Sequence, residues 1–95
     1  MITPKKILAC IAKKYDLDVK DIEGPSRVRE IAESRHLYCL LMREKTRMSY
    51  QSIGKYINRD HCTVLLAIKR ANELMSVYPE LKSLYNEIKD EISME

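Results

Sequence analysis

Asn58-Arg59-Asp60-His61-Cys62-Thr63-Val64-Leu65-Leu66-Ala67-Ile68-Lys69-Arg70 is the stretch that decides how this chain folds. A helical rotation of about 100° per residue from Asp60 gathers Val64, Ala67, Ile68, Ala71, Leu74 and Met75 into one stripe. Cys62, Leu66, Lys69 and Glu73 fall on the opposite side. The spacing predicts a helix capped by Asp60 and running to about Met75, with Asp60, His61, Cys62 and Thr63 as its polar first turn. Upstream, Ser49 is placed to cap a short helix to about Tyr56, with Ile53 facing inward. Ile57 and Asn58 join the two, and Asn tolerates the left-handed backbone that a tight turn can require. A short helix, a tight turn and a longer helix with a polar start make the outline of a helix-turn-helix. In that motif the first turn of the second helix meets base edges in the major groove of duplex DNA.

The flanking segments read as further helices. Thr3-Pro4 is a helix start, and Ile7, Leu8, Ile11 and Ala12 share one face of a helix from about Pro4 to Tyr15. Asp18 can cap a short turn from Val19 to Ile22, after which Gly24-Pro25 breaks the chain. The next helix is expected from near Arg27 to about Lys45. Its segment 36–42 is apolar nearly all round, the mark of a central helix packed on several neighbours. Pro79 restarts the chain into a last amphipathic helix through Leu81, Leu84, Tyr85, Ile88 and Ile92. No repeat or linker interrupts the pattern, so the expectation is one all-α domain over residues 1–95, with five to six helices around a central helix-turn-helix.

Composition narrows the function classes. A charged fraction of 33% against an apolar fraction of 45% is a soluble balance, and no apolar run approaches membrane-spanning length. No membrane partner is expected. The apolar stretch between Lys5-Lys6 and Lys13-Lys14 is too short for a secretion signal. Cys10, Cys39 and Cys62 are widely spaced, odd in number and without a CxxC pair, which fits a reduced, cytoplasmic chain. With His36 and His61 the only histidines, neither a metal site nor another cofactor is expected. No catalytic constellation assembles around His61, so neither enzymatic activity nor a small-molecule substrate is expected.

The net charge of +3 is unevenly spread. Residues 24–75 carry ten basic side chains against five acids, and all seven arginines lie there. Residues 76–95 carry two lysines against five acids. Arginine suits bidentate contacts with phosphates and guanine edges, so the charge pattern agrees with a nucleic-acid partner. A solvated charged surface explains the same numbers.

The specific residues go further. Asn58-Arg-Asp-His-Cys-Thr-Val64, following Ile53-Gly54 and Tyr56, closely resembles the C-terminal DNA-binding domain of the bacterial DnaA replication initiator family. Its signature is an Ile-Gly pair, an aromatic, a turn, then Arg-Asp-His-Ser/Thr-Thr-Val. Arg29-Glu-Ile-Ala-Glu-Ser-Arg-His36 resembles that family's Arg-Glu-Ile-Val-x-Ala-Arg-Gln, at matching distance, and the first and last helices resemble its opening and closing ones. The resemblance implies a trp-repressor-like fold that reads an asymmetric, A·T-rich box of duplex DNA in both grooves. By position, it implies base contacts from Asp60, His61, Cys62 and Thr63 in the major groove and from Arg27 in the minor groove. Leu66 extends the major-groove set. Phosphate contacts are expected from Arg35, Arg43, Ser49, Arg59 and Lys69. Replication-origin or regulatory DNA is the implied target, with other replication proteins or an ATPase domain as further partners.

This chain departs from the family pattern at four places. Cys62 replaces a hydroxyl, Ile57 and Asn58 replace turn glycines, Leu66 replaces a polar side chain, and His36 replaces Gln. Cys62 and Leu66 together would form an apolar reading surface that favours thymine methyls. No phosphate-cradling GxxxxGK[ST] run is present, since Gly24 and Gly54 are the only glycines. Three alternatives remain at the level of residues. Asp60 can act as a cap alone, Arg35 can serve packing or a buried ion pair, and the arginine-rich middle or exposed Leu65 and Leu66 can serve structured RNA or a protein partner.

Overall fold

The computed structural model describes residues 3–26 and 28–93. Among them six helices follow one another: α1 (Pro4–Tyr15), α2 (Val19–Glu23), α3 (Arg29–Lys45), α4 (Tyr50–Lys55), α5 (His61–Val77) and α6 (Pro79–Ser93). Their ends obey local chemistry. Thr3 caps α1 through the Lys6 amide, with Pro4 in the first turn. Asp16 takes the left-handed conformation (φ 55°) that closes α1. Asp18 and Asp21 form a reciprocal capping box on α2. The expected start of α3 near Arg27 moves to Arg29, with Val28 as an N-cap that offers no side-chain acceptor. Arg27 itself lies outside the described residues. α5 runs two residues beyond Met75 and ends where Pro79 opens α6.

α3 is the axle of the fold. Its Leu37, Tyr38, Cys39, Leu40, Leu41 and Met42 are all buried, because α1, α2, α4 and α5 pack around it. Each such side chain contributes roughly 1.5–3 kcal/mol by leaving water. Burial pushes the Cys39 thiol up to about 12, so it is an inert part of the core. The Tyr38 hydroxyl is satisfied by donating to the Ile53 carbonyl at 2.9 Å, which pins α4 to α3. α6 closes the base with Leu81, Tyr85, Ile88 and Ile92 inward. Its polar ties include Tyr85 to Glu44, Lys45 to Ser93 (2.9 Å), Lys89 to Glu44 (3.2 Å) and Lys14 to Glu87 and Glu91 (3.1 Å each). The lysine ion pairs among them are worth about 0–1 kcal/mol each, so the apolar core does most to hold α6 in place. Among the described residues no helix is long and apolar enough to cross a membrane.

Candidate nucleic-acid interface

The α4–turn–α5 unit is built around one close approach. Ser49 caps α4 by accepting from the Ser52 amide at 3.1 Å. The chain then reverses over Gly54, whose carbonyl accepts from the Ile57 and Arg59 amides at 3.1 and 2.9 Å. A Cβ on Gly54 would lie 2.3 Å from the Arg59 carbonyl oxygen and 2.9 Å from Val64 Cγ2. Only glycine lets α4 lie this close to the turn and the start of α5. Asn58 sits at φ 56°, so the left-handed residue is an Asn where the family pattern has glycine.

Asp60 then starts α5, accepting from the Thr63 amide at 2.8 Å. That amide and the Thr63 hydroxyl hold the Asp60 carboxyl below its ordinary range, so it is ionised at neutral pH. Asp60, His61, Cys62 and Thr63 are all exposed, and they occupy the helix end where backbone amides and the macrodipole present positive potential. Cys62 Sγ lies 3.5 Å from His61 Nε2. Leu66, one turn on, is 51% exposed, and Val64, Ala67 and Ala71 are buried against α3 as the stripe requires. Lys69 is exposed on the same helix.

The expected phosphate ligands do not form one group. Arg43 and Ser49 come together where α3 gives way to α4: Arg43 donates to the Met48 carbonyl at 3.0 Å and its guanidinium stacks 4.2 Å from the Tyr50 ring centre. Arg35 has another use. It is 8% exposed, donating from Nε to the Ile22 carbonyl (2.7 Å) and from Nη2 to the carbonyls of Asp21 (3.3 Å) and Gly24 (2.7 Å). Its partners are backbone oxygens rather than a carboxylate, so it braces the end of α2. Burial, with the positive charge of Arg59, pulls its pKa down. Arg59 also turns toward backbone, donating to Ile57, Asn58 and Gly24 carbonyls at 3.0, 3.1 and 2.7 Å.

Two residues outside the expected contact set enter the picture. His36 and Arg70 line a cleft of about 130 Å³ between α3 and α5, together with Thr63 and Leu66. His36 Nδ1 is buried there without a hydrogen-bond partner, and burial, then Arg70 and Arg35, hold the imidazolium below its ordinary value against the opposing pull of Glu33. Arg70 was legible as one turn beyond Leu66 and two beyond Thr63. The setting of His36 was not, because it comes from a helix thirty residues away. No group of three or more metal-ligating side chains occurs among the described residues.

The family described as the bacterial DnaA protein helix-turn-helix matches residues 4–71. The chromosomal replication initiator protein DnaA of Gloeothece citriformis is 34% identical over 98% of this chain and 21% of its own length. That of Clavibacter sepedonicus is 38% identical over 93% of this chain and 18% of its own length. The chromosomal replication initiator protein DnaA 2 of Protochlamydia amoebophila is 40% identical over 72% of this chain and 15% of its own length. The chain thus spans about a fifth or less of the relatives it matches. The helix-turn-helix, its exposed first turn and these relatives agree: the chain belongs to the bacterial DnaA helix-turn-helix family.

Proposed function

We propose that this chain binds double-stranded DNA in a sequence-dependent way, with the first turn of α5 in the major groove and Arg27 in the adjacent minor groove. The observation that carries the reading is the first turn itself: Asp60, His61, Cys62 and Thr63 are exposed at a capped helix start that Gly54 and the α3 core hold rigidly. Asp60 can accept from a cytosine amino group while it caps, since its carboxylate has acceptor sites to spare. Cys62 and Leu66 offer apolar contact to thymine methyls. Arg43, Ser49 and Lys69 are the side chains proposed for phosphate contact, and they fix register rather than sequence. An asymmetric, A·T-rich site follows from the family resemblance, and replication-origin or regulatory DNA is the proposed setting.

Selection of duplexes from a random pool, followed by titration at two salt concentrations, tests this. The expected result is an enriched asymmetric site containing adjacent thymines on the major-groove side, bound steeply more weakly as salt rises. No DNA affinity at either salt, or tighter binding to structured RNA than to any duplex, overturns it.

A further inference from the structure

The turn between α4 and α5 is tied to a part of the chain more than thirty residues away. Asn58 Nδ2 donates to the Glu23 carbonyl at 3.2 Å and Arg59 Nη2 to the Gly24 carbonyl at 2.7 Å. The same Gly24 oxygen accepts from Arg35 Nη2 at 2.7 Å, and Arg35 Nε reaches the Ile22 carbonyl at 2.7 Å. Two guanidinium groups therefore converge on one carbonyl oxygen. Like charges this close repel, and a neutral acceptor offsets only part of that repulsion. The repulsion gives up part of the stabilisation that these charge-assisted hydrogen bonds supply. What the arrangement gives is geometry: a planar fork with fixed donors holds one backbone segment against another at a defined distance.

We infer that Arg59 and Asn58, backed by Arg35, are positioning residues that lock the 57–60 turn onto the α2–α3 loop and so set where the first turn of α5 meets base edges. The inference rests on the DNA-binding reading above and reassigns Arg59, expected from sequence as a phosphate ligand. Arg59 precedes Asp60 directly, and its Nη1 folds back onto the Ile57 and Asn58 carbonyls of its own turn. A phosphate would have to compete with these internal acceptors for the guanidinium. Base readout, by contrast, tolerates misplacement of only about 0.5 Å, so loosening this tie should blur sequence preference before it weakens general attraction to DNA.

The test uses the duplex that the wild-type chain selects from a random pool, a random-sequence duplex, and four proteins: wild type, Arg59→Lys, Arg59→Gln and Asn58→Gly. Asn58→Gly keeps the left-handed backbone and removes only the tie to Glu23, so it remains a folded probe. All are compared well below their melting temperatures. The expected result is that Arg59→Lys lowers the ratio of selected-duplex to random-duplex affinity about tenfold or more, and that Asn58→Gly, which restores the family's glycine and keeps the Arg59 tie, lowers it by a smaller factor. The slope of log affinity against log salt should stay within about 0.3 of wild type in every variant, because no phosphate contact is lost. Full discrimination by Arg59→Lys overturns the inference, since a point charge would then suffice. So does a slope about one unit shallower in Arg59→Gln with discrimination intact. Either outcome leaves the DNA-binding reading standing. If the wild type selects no duplex, both fall together.

Discussion

His61 and His36 show how one residue type takes opposite roles from its surroundings. His61 stands exposed in the first turn of α5, where a ring nitrogen can meet a base edge. Its replacement by Ala should relax preference at one or two adjacent base pairs by about 1–3 kcal/mol, leaving affinity for random duplex nearly unchanged. Competition binding against a panel of single-base-pair variants of the selected site checks this. Uniform weakening across the panel would instead mark His61 as a backbone contact. His36 faces inward among Arg70, Arg35 and Arg59, with Glu33 on its own helix and Glu73 beyond Arg70 as the nearby acids. Its pKa in the folded chain is lowered from an ordinary value of 6.5, so the unfolded chain takes up the proton first as pH falls. Stability is therefore fully present above pH 6.5 and declines below it. The slope from this group is at most about 1.4 kcal/mol per pH unit, and less because the ring is only half-buried. Denaturant melts between pH 5 and 8 should show that decline, and His36→Gln should flatten it. An equal slope in the variant would place the proton elsewhere.

At the scale of elements, the helix-turn-helix depends on Gly54 for a close approach that no side chain there would allow. A methyl there meets the Arg59 carbonyl, which is backbone and cannot rotate aside. Gly54→Ala should cost about 1–3 kcal/mol, at the upper end if the turn cannot shift, and should disturb the amides of residues 57–61 first. Thermal melting with amide chemical-shift mapping measures both. An unchanged melting temperature would show that α4 slides freely against the turn. The elements themselves were largely legible in sequence: Thr3-Pro4, Ser49, Asp60 and Pro79 mark helix starts by chemistry that acts within four residues, and the Val64–Ala67–Ala71 stripe found its buried face. The start of α3 fell two residues after the expected Arg27, behind Val28, which carries no capping side chain to mark it. Gly54 was recognisable only as part of a motif, since its backbone needs no positive φ and its reason lies in a contact with α5. The internal acceptors of Arg35 and Arg59 were hidden for the same cause. A basic side chain in a basic segment resembles a phosphate ligand until the carbonyls it serves are known, and those lie 11 and 35 residues away.

For the whole molecule, charge and packing divide the labour. The basic side chains cluster in residues 24–75, whereas α6 carries Glu80, Glu87, Asp90 and Glu91 and pairs part of that acidity with Lys14 of α1. An approaching polyanion should thus be drawn to the α3–α5 side and repelled by α6, an expectation that charge asymmetry orients the chain before any base contact forms. This places salt dependence in particular side chains rather than in the net charge of +3. Arg43→Ala, at the α3–α4 junction, should make the slope of log affinity against log salt shallower by about one unit and weaken all duplexes alike. Lys82→Ala, exposed on α6, removes the same charge and should leave the slope unchanged. Affinities of both variants for random duplex across a salt series decide the matter. Equal slopes in the two would mean that net charge alone governs binding, and the orienting role of the acidic helix would have to be given up.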